Sequence, residues 1–166
     1  MVLVLAACGG SGNESEGDKS FGTGDYKSAI EKYNQELASN PDNVKLLYNR
    51  GRAYEELKKY DQGEQDFLKV LALEEKHLNA TLSLSKLYYQ KKAYNKAVIF
   101  ADKALGFNEN SAEGHFLAAR AKHQLGYVDG ALESYTLAIN VNKNYGEAYL
   151  YRGALKVHKK QTRSAC

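Results

Sequence analysis

From Glu14 to the C-terminus, apolar residues recur at helical spacing, and the pattern itself returns at a constant step of 34. Small residues mark the period in two registers. One runs through Ala29, Gly63, Ala97, Ala131 and Ala165, and the other through Gly17, Gly51, Ser85, Ala119 and Gly153, always the same 12 positions earlier. Bulky residues follow the same step: Tyr26, Tyr60, Tyr94 and Val128 share one position, Tyr33, Phe67 and Tyr135 a second, and Tyr54 and Tyr88 a third. Each unit predicts two amphipathic helices of about 12–15 residues joined by a short polar link such as Gly24-Asp25 or Leu125-Gly126. Helices joined so tightly must pack antiparallel. The two small-residue ladders are expected where backbones approach most closely, and the large residues between them should fill the groove. One pair cannot bury both of its faces, so stacked neighbours must supply the rest of the core.

The units run approximately 14–43, 44–77, 78–111, 112–145 and 146–166. The first opens on a shortened, Gly-rich helix from Glu14 to Thr23. The fifth is expected to be incomplete, ending at Ala165-Cys166 after barely one turn of its second helix, with Tyr149, Leu150 and Val157 on a helix that lacks its partner.

This spacing resembles the tetratricopeptide repeat, and the resemblance covers residues 14–166. It rests on Tyr48-Asn49-Arg50-Gly51-Arg52-Ala53-Tyr54 for a first helix, and on Gly24-Asp25-Tyr26-Lys27-Ser28-Ala29-Ile30-Glu31-Lys32-Tyr33 with Asn40-Pro41 for a second. Gly63, Ala101, and Glu75, Glu109 and Lys143 depart from the family's usual Ala, aromatic and Pro. The resemblance implies an all-α, right-handed superhelical solenoid of antiparallel helix pairs with about four and a half repeats.

Residues 1–13 have a different character. Met1 to Ala7 is apolar, and Leu5-Ala6-Ala7-Cys8 followed by Gly9-Gly10-Ser11-Gly12-Asn13 resembles the lipobox and linker of a bacterial lipoprotein, though without a basic n-region. By that resemblance Cys8 is the lipid attachment point and the expected location is the bacterial envelope, on the periplasmic side of the outer membrane. A cytoplasmic adaptor is the alternative. The apolar run is too short to span a bilayer.

Composition narrows the function. With 43% hydrophobic and 26% charged residues the chain has the balance of a core-forming protein, and its net charge of +3 gives nucleic acid little support as a partner. Before Arg152 the acids outnumber the bases, 20 to 18, so the excess sits in Arg152, Lys156, Lys159, Lys160 and Arg163. The four histidines include no i, i+4 pair, and Cys8 and Cys166 lie too far apart in sequence to suggest a zinc site. Gly22-Thr23-Gly24-Asp25-Tyr26-Lys27-Ser28 lacks the Gly-Lys-Ser order of a phosphate loop. No nucleophile motif is present, so neither catalysis nor a cofactor or metal is expected. A non-catalytic accessory domain of a longer enzyme remains an alternative.

Function is then expected on the concave face, which in this family is built by the first helix of each pair. The fifth position of successive units holds Tyr48, Leu82, Phe116 and Leu150, read as an apolar ladder; the ninth holds Arg52, Lys86, Arg120 and Ala154, read as a cationic one. Asn49, Tyr89, His123 and Tyr151 stand nearby. The expected partner is a protein or peptide segment with apolar anchors and acidic groups. The carboxylate clamp used by some family members to grip chaperone tails maps onto Glu14, Asp18, Asn49, Asn79 and Ser83, where only Asn49 matches; cochaperone activity is disfavoured.

Overall fold

A computed structural model describes residues 15–164, with the side chains described through Gln161. Cys8, Glu14 and Ala165 therefore lie outside the described residues. Within them the chain forms nine helices and no strand: α1 (Glu16–Gly22), α2 (Tyr26–Ser39), α3 (Val44–Glu56), α4 (Tyr60–Leu73), α5 (Leu78–Gln90), α6 (Tyr94–Phe107), α7 (Ala112–Gln124), α8 (Val128–Val141) and α9 (Gly146–Ser164). This is the expected all-α solenoid. Every unit start read from the sequence at 44, 78, 112 and 146 is the first residue of an odd-numbered helix.

The period extends to the caps and turns. Asn43, His77 and Ser111 occupy one position and each accepts, through its side chain, the N–H three residues on, at 3.1, 3.1 and 3.0 Å. His77 is thus a helix cap. Ser15 and Asp18 form a capping box at the start of α1. Within each pair, the turn places one residue in the left-handed region: Gly24, Lys58, Lys92 and Gly126, with φ of 80, 57, 60 and 81°. Only glycine takes that conformation without cost. Lys58→Gly and Lys92→Gly are therefore expected to raise stability by about 0.5–1 kcal/mol each in urea melts, and a loss in either would contradict this reading of the turns.

Lys160 is next in that series, yet α9 continues through it as one 19-residue helix. Among the described residues the fifth unit therefore forms no second helix. A left-handed Lys is repaid only when the helix after the turn packs back on its predecessor, and none among the described residues does so here.

The two small-residue ladders are buried as expected from the first through the fourth unit, but they meet different things. A Cβ added at Gly17 would lie 2.3 Å from the Tyr33 ring, and one at Gly51 would lie 2.7 Å from Phe67, so this ladder makes room for an aromatic ring and not for a facing backbone. Gly63 does face backbone, with its added Cβ 3.1 Å from the Gly51 carbonyl oxygen. In the third unit Ser85 donates to the Ala97 carbonyl at 2.8 Å. There Ala101 takes the aromatic position, and Leu82, Leu117 and Ala118 gather around it. Tyr33, Phe67 and Tyr135 are completely buried. In the last unit Gly153 has nothing within 4 Å of an added Cβ, while Leu150 and Val157 are 70% and 57% exposed. Among the described residues no helix covers the face of α9 that carries Leu150 and Val157.

Candidate partner groove

Contacts between helices two apart in the chain join α3 to α5 and α5 to α7. The odd helices thus line the inner side of the stack. Across that side one spacing recurs: a residue meets the residue 31 positions later. Asn49 Nδ2 donates to Asp18 Oδ1 at 2.7 Å, the Arg52 guanidinium lies 5.2 Å from the Phe21 ring centre, Lys86 Nζ is 2.8 Å from Glu55 Oε1, and Arg120 lies 4.1 Å above Tyr89 and 5.7 Å from Tyr151. The offset, three short of the repeat, reflects parallel helices staggered by about one turn.

Several expected groove residues are placed otherwise. Leu82 and Phe116 are buried at 6% and 4%, and Tyr48 is half-buried against Phe67 and His77 with ring centres 5.8 and 5.2 Å away. Phe116 sits among Tyr135, Tyr145 and Tyr151. The fifth-position ladder is therefore core, not groove surface; only Leu150 is exposed, on the side of α9 that no helix among the described residues covers. Bulky apolar side chains at helical spacing satisfy the stack before they serve a ligand.

The cationic ladder is also interrupted. Lys86 is half-buried and committed to Glu55, which holds its ammonium above the ordinary value despite the opposing effect of burial. Arg52 is exposed, and neither Arg52 nor Arg120 has an acidic partner among the described residues. Tyr89 packs against Tyr94, ring centres 5.4 Å apart, and His123 is half-buried in the last turn of α7. A cleft of about 280 Å³ opens beside Arg52, lined also by Asp18, Phe21, Gly22, Tyr33 and Asn49.

Asp18 and Lys45, with the hydroxyls of the otherwise buried Tyr33 and Tyr135, are parts of the inner side that the sequence does not mark as part of the site. Asp18 carries a signal that could have found it, since it stands one full repeat before Arg52 in the same register. It receives hydrogen bonds from Tyr33 (2.9 Å) and Asn49 (2.7 Å), and an ion pair from Lys45 (2.8 Å). Burial pushes its carboxyl upward, but the contacts from Lys45, Tyr33 and Asn49 outweigh that and leave it below the ordinary 3.8. A lowered folded value means that the Asp18 contribution is complete above about pH 4 and fades as the pH falls through the folded value. Urea melts at pH 7 and pH 3 should therefore show Asp18→Asn destabilising at the higher pH and closer to wild type at the lower; an equal effect at both would contradict the assignment.

Among the described residues no group of three His, Cys, Asp or Glu could hold a metal ion, and no helix is long and apolar enough to cross a membrane.

Stacked helix pairs, with capping and turn positions recurring at one fixed period, define a helical-repeat solenoid. Family models agree: one described as TPR repeat matches residues 17–58, and two described as Tetratricopeptide repeat match 44–77 and 112–145. The chain belongs to the tetratricopeptide-repeat family. It is 29% identical over 138 residues to the human (Homo sapiens) DnaJ homolog subfamily C member 7, covering 81% of this chain but 27% of that protein. Its fold is similar to the crystal structure of MamA, with TM-score 0.83, 22% identity, and 89% and 86% of the two chains covered. It is also similar to the first TPR of Spaghetti (RPAP3) bound to an HSP90 peptide, with TM-score 0.69, 16% identity, and 70% and 93% covered. The chain spans about a quarter of the length of the curated relative it matches.

Proposed function

We propose that this chain is a non-catalytic interaction scaffold whose odd-helix face receives an acidic segment of a partner protein. The observation that carries the reading is that Arg52 and Arg120, alone among the ninth-position cations of the described residues, lack an acidic partner while facing the groove. A guanidinium on an inner face without a carboxylate is a ready partner for one brought by another chain. Peptide binding by a structurally similar TPR module supports the class of partner. The clamp positions do not support the same peptide: Asn49 already donates to Asp18, and Asp18 presents negative charge where a carboxylate would have to be received. Charge reversal of Arg52 and Arg120 together should abolish capture of acidic peptides in a pull-down. Undiminished capture would refute the reading.

The finer proposal is display on a bacterial envelope membrane through lipidated Cys8, supported by Leu5-Ala6-Ala7-Cys8 and the Gly-rich stretch after it. Mass spectrometry of the mature N-terminus, after expression from the full gene in a bacterial host, tests it. An acyl adduct on Cys8 is the expected result, and an unmodified chain retaining Met1 would instead place the scaffold in the cytoplasm.

A further inference from the structure

The same three places in the fold carry different chemistry at the two ends of the groove. In the first unit they are Asp18, Tyr33 and Asn49, and the Tyr33 hydroxyl and Asn49 amide both donate to one oxygen of the Asp18 carboxylate. Three repeats later the corresponding residues are Arg120, Tyr135 and Tyr151. A donor has replaced the acceptor. Tyr135 is fully buried and its hydroxyl has no hydrogen-bond partner; Nε of Arg120 is buried and equally without one. Leaving buried donors unpaired is costly, and two of them in one place point to an acceptor that arrives with a ligand.

The surroundings fit that acceptor. The Arg120 guanidinium lies over Tyr89 at 4.1 Å, with Phe116 and Tyr151 each at 5.7 Å, and the Tyr151 ring stacks nearly parallel on Tyr135, 6.1 Å between centres and 7° between planes. Burial pushes the Tyr135 hydroxyl well above its ordinary value, and the nearby Arg120 charge opposes that, so the hydroxyl stays a proton donor facing a cation. The aromatic rings around the half-buried guanidinium partly shield it from water, which strengthens a charge-assisted hydrogen bond.

We propose that Arg120 and Tyr135, walled by Tyr89 and Tyr151, form a binding site for a single carboxylate of an acidic partner segment. At one end of the groove the chain supplies the carboxylate itself, through Asp18; at the other it comes from the partner. The proposal rests on the groove reading above and names the site within it. Tyr135 belongs to this site although its ring is core.

The test uses the whole chain and fluorescence polarisation with three labelled octapeptides: alternating leucine and glutamate with an amidated end, its leucine and glutamine counterpart, and that counterpart with a free terminal carboxylate. The glutamate peptide should bind at least tenfold more tightly than the amidated glutamine one. Arg120→Gln and Tyr135→Phe should each weaken it about tenfold, while Tyr127→Phe, at a 62% exposed tyrosine, should not. Recovery of binding by the free terminus, sensitive to the same two substitutions, would support the site and assign it to a chain end. Equal affinity of wild type, Arg120→Gln and Tyr135→Phe for the glutamate peptide would overturn the site, as would wild type failing to prefer glutamate over glutamine. If Arg52→Gln then still weakens capture, the groove reading stands and only this site falls; if it does not, both fall.

Discussion

Replacing Arg50 with leucine is expected to cost about 3–5 kcal/mol in urea melts, the largest loss expected for a single substitution in this chain. Arg50 on α3 grips Asp66 on α4 with two parallel donors, Nε to Oδ2 at 2.8 Å and Nη2 to Oδ1 at 2.6 Å, and extends Nη1 to Asn34 on α2 at 2.7 Å. Three helices are tied by one guanidinium. Asp66 is only 5% exposed, so removing Arg50 strands a buried carboxylate without its counter-charge. The repeat itself supplies the rescue. One unit later the same two positions hold Leu84 and Phe100, an apolar solution to the same packing problem. The double variant Arg50→Leu, Asp66→Phe should therefore recover most of the loss, because an ion pair replaced as a whole by well-packed apolar groups is often close to neutral. A single-variant loss below about 1 kcal/mol would show that the pair is solvated and not structural.

Second in size is a pair of glycine substitutions that share one register and should have opposite signs. Gly51→Val is expected to cost about 2–3 kcal/mol, since its Cβ would enter the ring of Phe67, which is fully buried and has nowhere to retreat. Gly153→Ala should gain about 0.5–1 kcal/mol, the ordinary advantage of alanine in an open helix, because nothing lies within 4 Å of the new methyl. Calorimetry or urea melts of both variants decide the matter. Two losses would mean that the α9 face is covered in solution.

The period carries most of the fold. Because ladder positions recur at the same step, the sequence locates the first residues of α3, α5, α7 and α9, while α1 is shorter than the Glu14–Thr23 read for it. It is weaker on which side each residue faces. Tyr48, Leu82 and Phe116 stand four residues before the cations on their helices, near enough to suggest one surface, yet the stack draws them into the core. Lys86 looks like Arg52 and Arg120 in sequence but is neutralised by Glu55, a contact nearly one repeat back that arises only when parallel helices are staggered. Asp18 reads as a mismatch with the chaperone clamp and not as a member of the ninth-position register, because the shortened α1 hides its alignment with the later units. Tyr135 reads in sequence as a core aromatic like Tyr33 and Phe67. Only the unpartnered hydroxyl beside Arg120 sets it apart.

Isotope-labelled chain titrated with the glutamate peptide, and followed by amide and tyrosine side-chain NMR shifts, tests the central claim most directly. A partner groove on the odd helices predicts shifts concentrated at Arg52, Tyr89, Arg120, Tyr135 and Tyr151, with α4 and α6 unmoved at Lys69 and Ile99. Shifts confined to Lys69, Ile99 and their neighbours on the even helices would contradict it.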